Sequence, residues 1–197
     1  MRIGYGWDSH EFKRGIPLKI GGVVLPHPKG LGGHSDGDVL LHAITDALLG
    51  AIAAGDIGGF FPPSDPKWKG ADSALFVAEA MKRISDAGYV VGNVDSTLIL
   101  ARPKIGPHAA EIRANVARLL SIEPSAVGVK AKTPEGMGTD DAAIAHVTVL
   151  LLRKDSALPE VASVAEAVPQ PEVDEVVEKV LKDVPAKPSR RRPVHKH

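Results

Sequence analysis

The order of hydrophobic and polar positions predicts a chain in which strands and helices alternate. Runs of β-branched and apolar residues predict strands over 2–5, 90–100, 127–131 and 143–152. Leu18–Ile20 and Val23–Leu25 flank a glycine pair, which is typical of a hairpin. Apolar residues at helical spacing predict helices over 38–54, 72–88 and 107–120. The prediction is an α/β fold of the α+β type, with about three helices on one side of a four-stranded mixed sheet.

Two of these elements are apolar on more than one face. The segment 143–152 is apolar on both faces, so we expect it at the centre of the sheet or in an interface. The helix predicted for 38–54 is apolar almost all round and should be largely buried. Asp38 is placed to cap this helix. His42, one turn further on, is then either a satisfied core residue or a ligand.

Composition and charge narrow the class of protein. The 197 residues include 24 basic and 24 acidic side chains, so no binding of nucleic acid is expected. The sequence has no cysteine, which excludes disulfides and thiolate metal sites. No signal-peptide segment and no membrane-spanning run are found, so we expect a cytoplasmic protein without a membrane partner.

The composition changes after Arg153, which predicts one domain over 1–153 and a charged tail over 154–197. The tail lacks glycine and aromatic residues, and we expect it to be mostly disordered. Its residues 171–184 have the spacing of a short amphipathic helix that can dock on a partner. The end of the tail is basic at Lys187, Arg190, Arg191, Arg192 and Lys196. These charges could contact RNA or acidic lipid, but a solvated tail is the preferred explanation.

Asp8, His10 and His42 are candidate ligands of one metal ion. In an extended segment Asp8 and His10 point to the same face, because side chains alternate. A carboxylate with two imidazoles favours zinc or a similar transition metal, and three ligands leave one position open. The alternative is that Asp8 is a turn residue and His42 a core histidine. Spacing alone does not decide between them.

Two further polar groups have the chemistry of phosphate binding. His34 and Ser35 lie in a glycine-rich loop before a helix N-terminus, where free N–H groups favour anions. Lys132, Thr133 and Glu135 follow a predicted strand, with a hydroxyl for phosphate and a carboxylate for a hard cation. The alternatives are that Ser35 and Asp36 are ordinary capping residues and that the group from Lys132 to Glu135 is a surface turn.

Four motifs in chain order resemble the 2-C-methyl-D-erythritol 2,4-cyclodiphosphate synthase family. They are M-R-I-G-Y-G-W-D-S-H, H-S-D-G-D-V-L-L-H-A-I-T-D-A-L-L-G, G-D-I-G and P-K-I-G-P-H. The resemblance covers residues 1 to about 153. It implies an enzyme of non-mevalonate isoprenoid biosynthesis, a CMP-releasing phosphorus–oxygen lyase. The substrate would be 4-diphosphocytidyl-2-C-methyl-D-erythritol 2-phosphate, and the product the cyclic diphosphate.

The resemblance also implies a homotrimer with active sites between subunits, one zinc ion per site, and magnesium or manganese on the substrate diphosphate. Carried over by position, Asp8, His10 and His42 hold zinc, and Glu135 assists the second metal. His34 and Thr133 support the transition state. The substrate-binding positions implied by the resemblance are Asp8, Ser9, His10, His34, Ser35, Asp56, Ile57, Gly58, Phe61, Pro62, Pro63, Ser64, Asp65, Leu100, Ala101, Arg102, Pro103, Lys104, Ile105, Gly106, Lys132, Thr133, Pro134 and Glu135. Of these, Asp56 and Gly58 would hold methylerythritol, and residues 100–106 would hold cytidine.

The chain departs from the family pattern at a few positions. Lys132 replaces a usual threonine, and Pro63 replaces a usual aspartate. The segment 139–144 is about two residues short and lacks an expected arginine. Two alternative functions follow: a catalytically weak relative that binds metal and a cytidine nucleotide, or a zinc phosphoesterase that uses water as nucleophile.

Overall fold

A computed structural model describes residues 1–155. The strands are β1 (Arg2–Arg14), β2 (Leu18–Ile20), β3 (Val23–Leu25), β4 (Lys29–Leu31), β5 (Tyr89–Leu100), β6 (Val127–Lys132) and β7 (Ala142–Arg153). The helices are α1 (Val39–Ala51), α2 (Ile57–Phe60), α3 (Ala74–Asp86) and α4 (Ala109–Leu120). Short 3₁₀ turns lie at Pro66–Trp68, Gly106–His108 and Pro124–Ala126.

The main sheet is mixed, as predicted, and has the strand order β4-β1-β7-β5-β6. β5 and β6 run parallel, whereas the other neighbours are antiparallel. β7 lies at the centre, which confirms the prediction for 143–152. β2 and β3 form the predicted separate hairpin. The sheet has five strands rather than four, because Lys29–Leu31, read from its glycines as part of a loop, pairs with the end of β1.

The first strand is also longer than the predicted 2–5. It continues through Gly6 to Arg14 and pairs with β7 from Arg2 to Glu11. In the sequence alone, Gly6 indicates a glycine-rich bend after the predicted strand, but it lies within β1 instead. A Cβ atom there would lie 1.9 Å from the carbonyl oxygen of Ala43 on α1. Gly4 approaches the carbonyl oxygen of Ala47 in the same way, at 1.8 Å. The glycines let α1 pack directly on the strand backbone.

Asp38 begins α1 and also fixes the hairpin beside it. Its carboxylate accepts from the backbone N–H groups of Leu40 at 3.2 Å and Leu41 at 3.0 Å, which confirms the predicted cap. The same group accepts from Gly21 at 2.9 Å and Gly22 at 2.6 Å in the β2–β3 turn. A fully buried carboxylate thus joins two elements that are separate in sequence.

The helix α1 ends at Ala51, three residues before the predicted end, and Ala53 takes a left-handed conformation beyond it. Its buried residues form the centre of the core together with the inward face of β7. The opposite face of β1 carries Ile3, Tyr5 and Trp7, whose surfaces are 68%, 60% and 48% exposed.

Every helix within residues 1–155 is too short or too polar to cross a bilayer. The predicted helix 171–184 lies outside the described residues, and the domain boundary after 153 stays a prediction.

Candidate active site

Three of the predicted ligands meet where β1 passes α1. Asp8 and His10 lie on one face of β1, and His42 reaches them from α1. The Asp8 Oδ2 atom is 2.9 Å from His10 Nε2 and 3.0 Å from His42 Nδ1. The two nitrogens are 2.9 Å apart. One carboxylate oxygen and two ring nitrogens therefore form a nearly equilateral triangle.

The triangle fits a metal ion of the size of zinc. Nitrogen and oxygen ligands hold zinc at about 2.0–2.2 Å. The centre of the triangle lies about 1.7 Å from each corner, so an ion fits just above its plane. Three donors leave a fourth position open for another ligand. Asp8, His10 and His42 can thus bind a metal.

The Asp8 carboxylate is held in its charged form. Burial raises the pKa of this group, but hydrogen bonds and charge interactions with His10 and His42 lower it by more, so the pKa falls well below its usual range. The other oxygen, Oδ1, accepts from the backbone N–H of Ser9 at 2.8 Å. Oδ2 remains directed at the two histidines and is free to act as a ligand.

The loop His34–Ser35 lies next to this triangle. Ser35 Oγ is 2.9 Å from His42 Nε2, on the side of the imidazole away from the ligand nitrogen. His34 is exposed, and its Nε2 is 3.4 Å from the carbonyl oxygen of Asp65. The backbone of the loop is held by Gly70, whose N–H donates to the His34 carbonyl at 2.8 Å. The predicted phosphate loop and the predicted metal centre are thus neighbours.

The predicted methylerythritol residues lie in a turn that is tied to α1. Asp56 caps the short helix α2 by accepting from the N–H of Gly59 at 2.9 Å. Asp46, one turn after His42 on α1, accepts from the N–H of Ile57 at 2.8 Å. Sequence reasoning missed Asp46, although its place four residues after His42 puts both on one helix face. Burial raises the pKa of Asp46.

An aromatic cluster, formed by Phe61, Trp68 and Phe76, connects the predicted substrate loop to the metal centre. The ring of Phe61 lies 4.4 Å from that of Phe76 and 4.9 Å from that of Trp68, between centroids. Phe76 in turn lies 5.9 Å from the imidazole of His42. Pro63 and Ser64, predicted in the same loop, are exposed. The sequence predictions did not include Phe76 or Trp68, since aromatic residues near a helix are usually core.

The predicted cytidine segment and the strand-end polar group share one cavity of about 560 Å³. They meet because β5 and β6 run parallel, so that their carboxyl ends lie side by side. Thr133 donates a hydrogen bond to Glu135 here. The predicted site residues that line the cavity are Leu100, Ala101, Pro103, Lys104, Ile105, Gly106, Lys132, Thr133 and Glu135. Arg102 lines a neighbouring cleft with Asp140 and Asp141 instead, and Pro134 is buried.

The cavity and the metal centre have no lining residue in common within one chain. Fold and site together define the class: an α+β protein with a candidate metal centre of one carboxylate and two imidazoles. The chain belongs to the YgbB family, whose model matches residues 1–152. This match confirms the resemblance seen in the sequence motifs.

Two known relatives are similar to this chain over 154 and 157 residues. The chain is 68% identical over 154 residues to the 2-C-methyl-D-erythritol 2,4-cyclodiphosphate synthase of Koribacter versatilis (strain Ellin345), covering 78% of this chain and 99% of that protein. The chloroplastic synthase of Arabidopsis thaliana is 53% identical over 157 residues, covering 78% of this chain and 68% of that protein.

Solved structures show the same fold. A 2C-methyl-D-erythritol-2,4-cyclodiphosphate synthase in a CDP-bound form superposes with a TM-score of 0.73 at 42% identity, covering 77% of this chain and 100% of that one. A CDP complex described as IspF of Plasmodium falciparum gives a TM-score of 0.69 at 35% identity, covering 78% of this chain and 97% of that one.

Proposed function

We propose that the chain converts 4-diphosphocytidyl-2-C-methyl-D-erythritol 2-phosphate to 2-C-methyl-D-erythritol 2,4-cyclodiphosphate and CMP, in non-mevalonate isoprenoid biosynthesis. The observation that carries this proposal is the Asp8–His10–His42 triangle beside the Ser35 loop, in a chain 68% identical to a named synthase. The reaction makes the protein a phosphorus–oxygen lyase, and we place it in the cytoplasm.

The chemistry needs two anionic groups of one substrate to be brought together. An oxygen of the 2-phosphate attacks the β-phosphorus of the diphosphate, the bond from that phosphorus to the CMP oxygen breaks, and CMP leaves. The nucleophile belongs to the substrate, so no covalent enzyme intermediate is needed. The chain therefore acts by orientation and by offsetting negative charge.

The named residues divide this task. His34 and Ser35 bind phosphate from the loop before α1, and His34 with Thr133 supports the charge that develops in the transition state. Asp8, His10 and His42 would hold a zinc ion, which would supply Lewis-acid charge there. Glu135 assists a magnesium or manganese ion that accompanies the diphosphate. The donor types in the two places support this division, since imidazole suits zinc and a carboxylate suits the harder ions.

The remaining predicted positions hold the two ends of the substrate. Asp56 and Gly58 bind the methylerythritol hydroxyls from the α2 turn, which Asp46 anchors to α1. The cavity between the ends of β5 and β6 takes the cytidine. CDP in two of the similar solved structures supports a nucleotide ligand.

We propose further that three copies assemble and that each active site lies between two of them. Two observations support this. The outer face of β1 is apolar and exposed at Ile3, Tyr5 and Trp7, and Tyr5 bonds to His146 of β7 on that face at 2.8 Å between Oη and Nδ1. The nucleotide cavity and the metal centre also share no residue within one chain, so a neighbour can bring the two halves together.

A second candidate is a catalytically weak relative that binds metal and a cytidine nucleotide. Lys132 and the short segment around Asp140 and Asp141 favour it, since they replace positions usual in the family. Phosphorus NMR of the protein with substrate, zinc and magnesium separates the candidates. Cyclic diphosphate with CMP supports the synthase, and no reaction supports the weak relative. Linear phosphate products reveal a zinc phosphoesterase, and the His42→Ala chain serves as the matched control.

A further inference from the structure

Ser73 has an unusual position for a serine at the start of a helix. It is the residue before α3 and is fully buried, yet its side chain makes no capping hydrogen bond to the helix. The neighbouring Asp72 accepts from the N–H of Ala74 instead, at 2.9 Å. The Ser73 hydroxyl lies 2.5 Å from Asp36 Oδ1 and 2.9 Å from His42 Nε2. A side chain suited to capping is thus directed at a predicted metal ligand.

The direction of each hydrogen bond follows from the groups involved. Asp36 is a carboxylate, which accepts only, and it also accepts from the Lys19 ammonium group at 3.1 Å. Ser73 must therefore donate its proton to Asp36, which leaves its oxygen lone pairs to accept from His42. The Nε2 atom of His42 then carries the hydrogen. A neutral imidazole with hydrogen on Nε2 has its lone pair on Nδ1.

Nδ1 is the His42 atom in the ligand triangle, 3.0 Å from Asp8 Oδ2 and 2.9 Å from His10 Nε2. The contacts of Asp36 and Ser73 thus keep a hydrogen on Nε2, so that Nδ1 offers its lone pair to a metal ion that displaces the hydrogen shared with Asp8. Outer partners of this kind orient metal-bound imidazoles and raise metal affinity.

The same arrangement determines what Ser35 can do. Its Oγ is also 2.9 Å from His42 Nε2. Because Nε2 carries a hydrogen, it offers no lone pair, and the Ser35 hydroxyl proton has no acceptor on the imidazole. That proton remains free to point towards a phosphate oxygen in the adjoining loop.

We propose that Asp36 and Ser73 are positioning residues, which fix His42 as an Nδ1 metal ligand and leave the Ser35 hydroxyl as a donor to substrate phosphate. The phosphate part rests on the proposed function, whereas the metal part does not. The four residues come from one loop and two helices, α1 and the start of α3. The hairpin adds Lys19, whose ion pair with Asp36 at 3.1 Å keeps the carboxylate in place.

The test compares zinc affinities by competition with a chromogenic chelator. We expect Ser73→Ala to weaken zinc binding by about 10- to 100-fold, the effect of removing an outer partner of a ligand. Ser73→Thr keeps the hydroxyl and should recover most of that loss. Ser35→Ala is the matched control, since it removes a hydroxyl at the same distance from the same nitrogen. It should leave zinc affinity within about twofold and raise the substrate KM by about tenfold.

Asp36→Asn provides an independent test, should Ser73→Ala fold poorly. It should weaken zinc binding as Ser73→Ala does. Lys19→Met removes the ion pair but not the Ser73 contacts, so zinc affinity should change by less than about threefold. Nitrogen NMR of the zinc-bound protein should find hydrogen on His42 Nε2, and this signal should shift in Ser73→Ala, where the hydrogen loses one of its acceptors.

Wild-type zinc affinity in a folded Ser73→Ala protein, or a zinc-bound protein without hydrogen on His42 Nε2, would overturn the proposal. The zinc and NMR measurements need no substrate. They can therefore contradict the proposed role of Ser73 even if the wild-type chain makes cyclic diphosphate. If the wild-type chain makes no product and Ser73→Ala weakens zinc binding, only the proposed function is contradicted.

Discussion

Because β1 and α1 are in close contact, we expect one methyl group added to β1 to displace α1. The metal ligand on α1 would then move although the methyl group does not contact it. Gly6→Ala places a Cβ atom 1.9 Å from the carbonyl oxygen of Ala43, the residue next to His42. Both atoms belong to backbone or are fixed to it, so no side-chain rotation relieves the clash. The helix must move away from the strand, and His42 must move with it.

The size of this movement can be worked from the distances. Relief of the contact from 1.9 Å to an ordinary 3.4 Å needs a displacement of about 1.5 Å. Zinc ligands tolerate deviations of about 0.2 Å from their bond lengths, so the triangle cannot bind the ion with all three donors. We expect zinc affinity to fall by at least about 100-fold. Forcing the extra group into the packed interface should also lower the free energy of unfolding by about 3 kcal/mol.

The assay is zinc titration together with thermal unfolding of the metal-free protein. A loss of about 3 kcal/mol corresponds to a Tm lower by about 10 °C in a domain of this size. Gly50→Ala is the matched control: Gly50 lies on the same helix, and a Cβ there meets only the Tyr5 carbonyl oxygen at 3.8 Å. That change should raise stability by about 0.5–1 kcal/mol and leave zinc binding unchanged. A Gly6→Ala protein with wild-type zinc affinity and Tm would refute the reasoning.

Three other outcomes are expected. His42→Ala should abolish stoichiometric zinc and product formation while the proposed trimer persists, as metal analysis and light scattering can show; zinc retained at one per chain would remove His42 from the ligand set. Lys132→Ala should lower kcat/KM by at least about tenfold, since Lys132 lines the cavity proposed for the nucleotide, and unchanged turnover and KM would exclude a role in phosphate binding. Truncation after Arg153 should preserve fold and activity; a wild-type chain that forms the proposed trimer and a truncated chain that does not would show that the tail is structural.

The parts of the fold that depend on local pattern were predicted well from the sequence. The alternation along a strand correctly placed Asp8 and His10 on one face, and the capping residue Asp38 correctly marked the start of α1. Glycine was the main source of error. Gly6 reads locally as a bend, but its role is to let a helix approach, which only the tertiary structure reveals.

The parts of the site that were missed depend on contacts across long stretches of sequence. Ser73 lies 31 residues from His42, and its local pattern is that of an ordinary helix start. The sequence favours Asp36 as a capping residue of its own loop, although its shortest hydrogen bond is with Ser73. No periodicity links these positions. Asp46 was the exception, since helical spacing from His42 could have identified it.

The buried Asp38 carboxylate has a consequence for how the molecule opens. It accepts from N–H groups in the β2–β3 turn and at the start of α1, so neither set can lose this partner without exposing the carboxylate. Native-state hydrogen exchange of the amides of Gly21, Gly22, Leu40 and Leu41 should therefore report one shared opening free energy. The hairpin and the helix that carries His42 would then form one cooperative unit, and the metal centre would be present or absent as a whole.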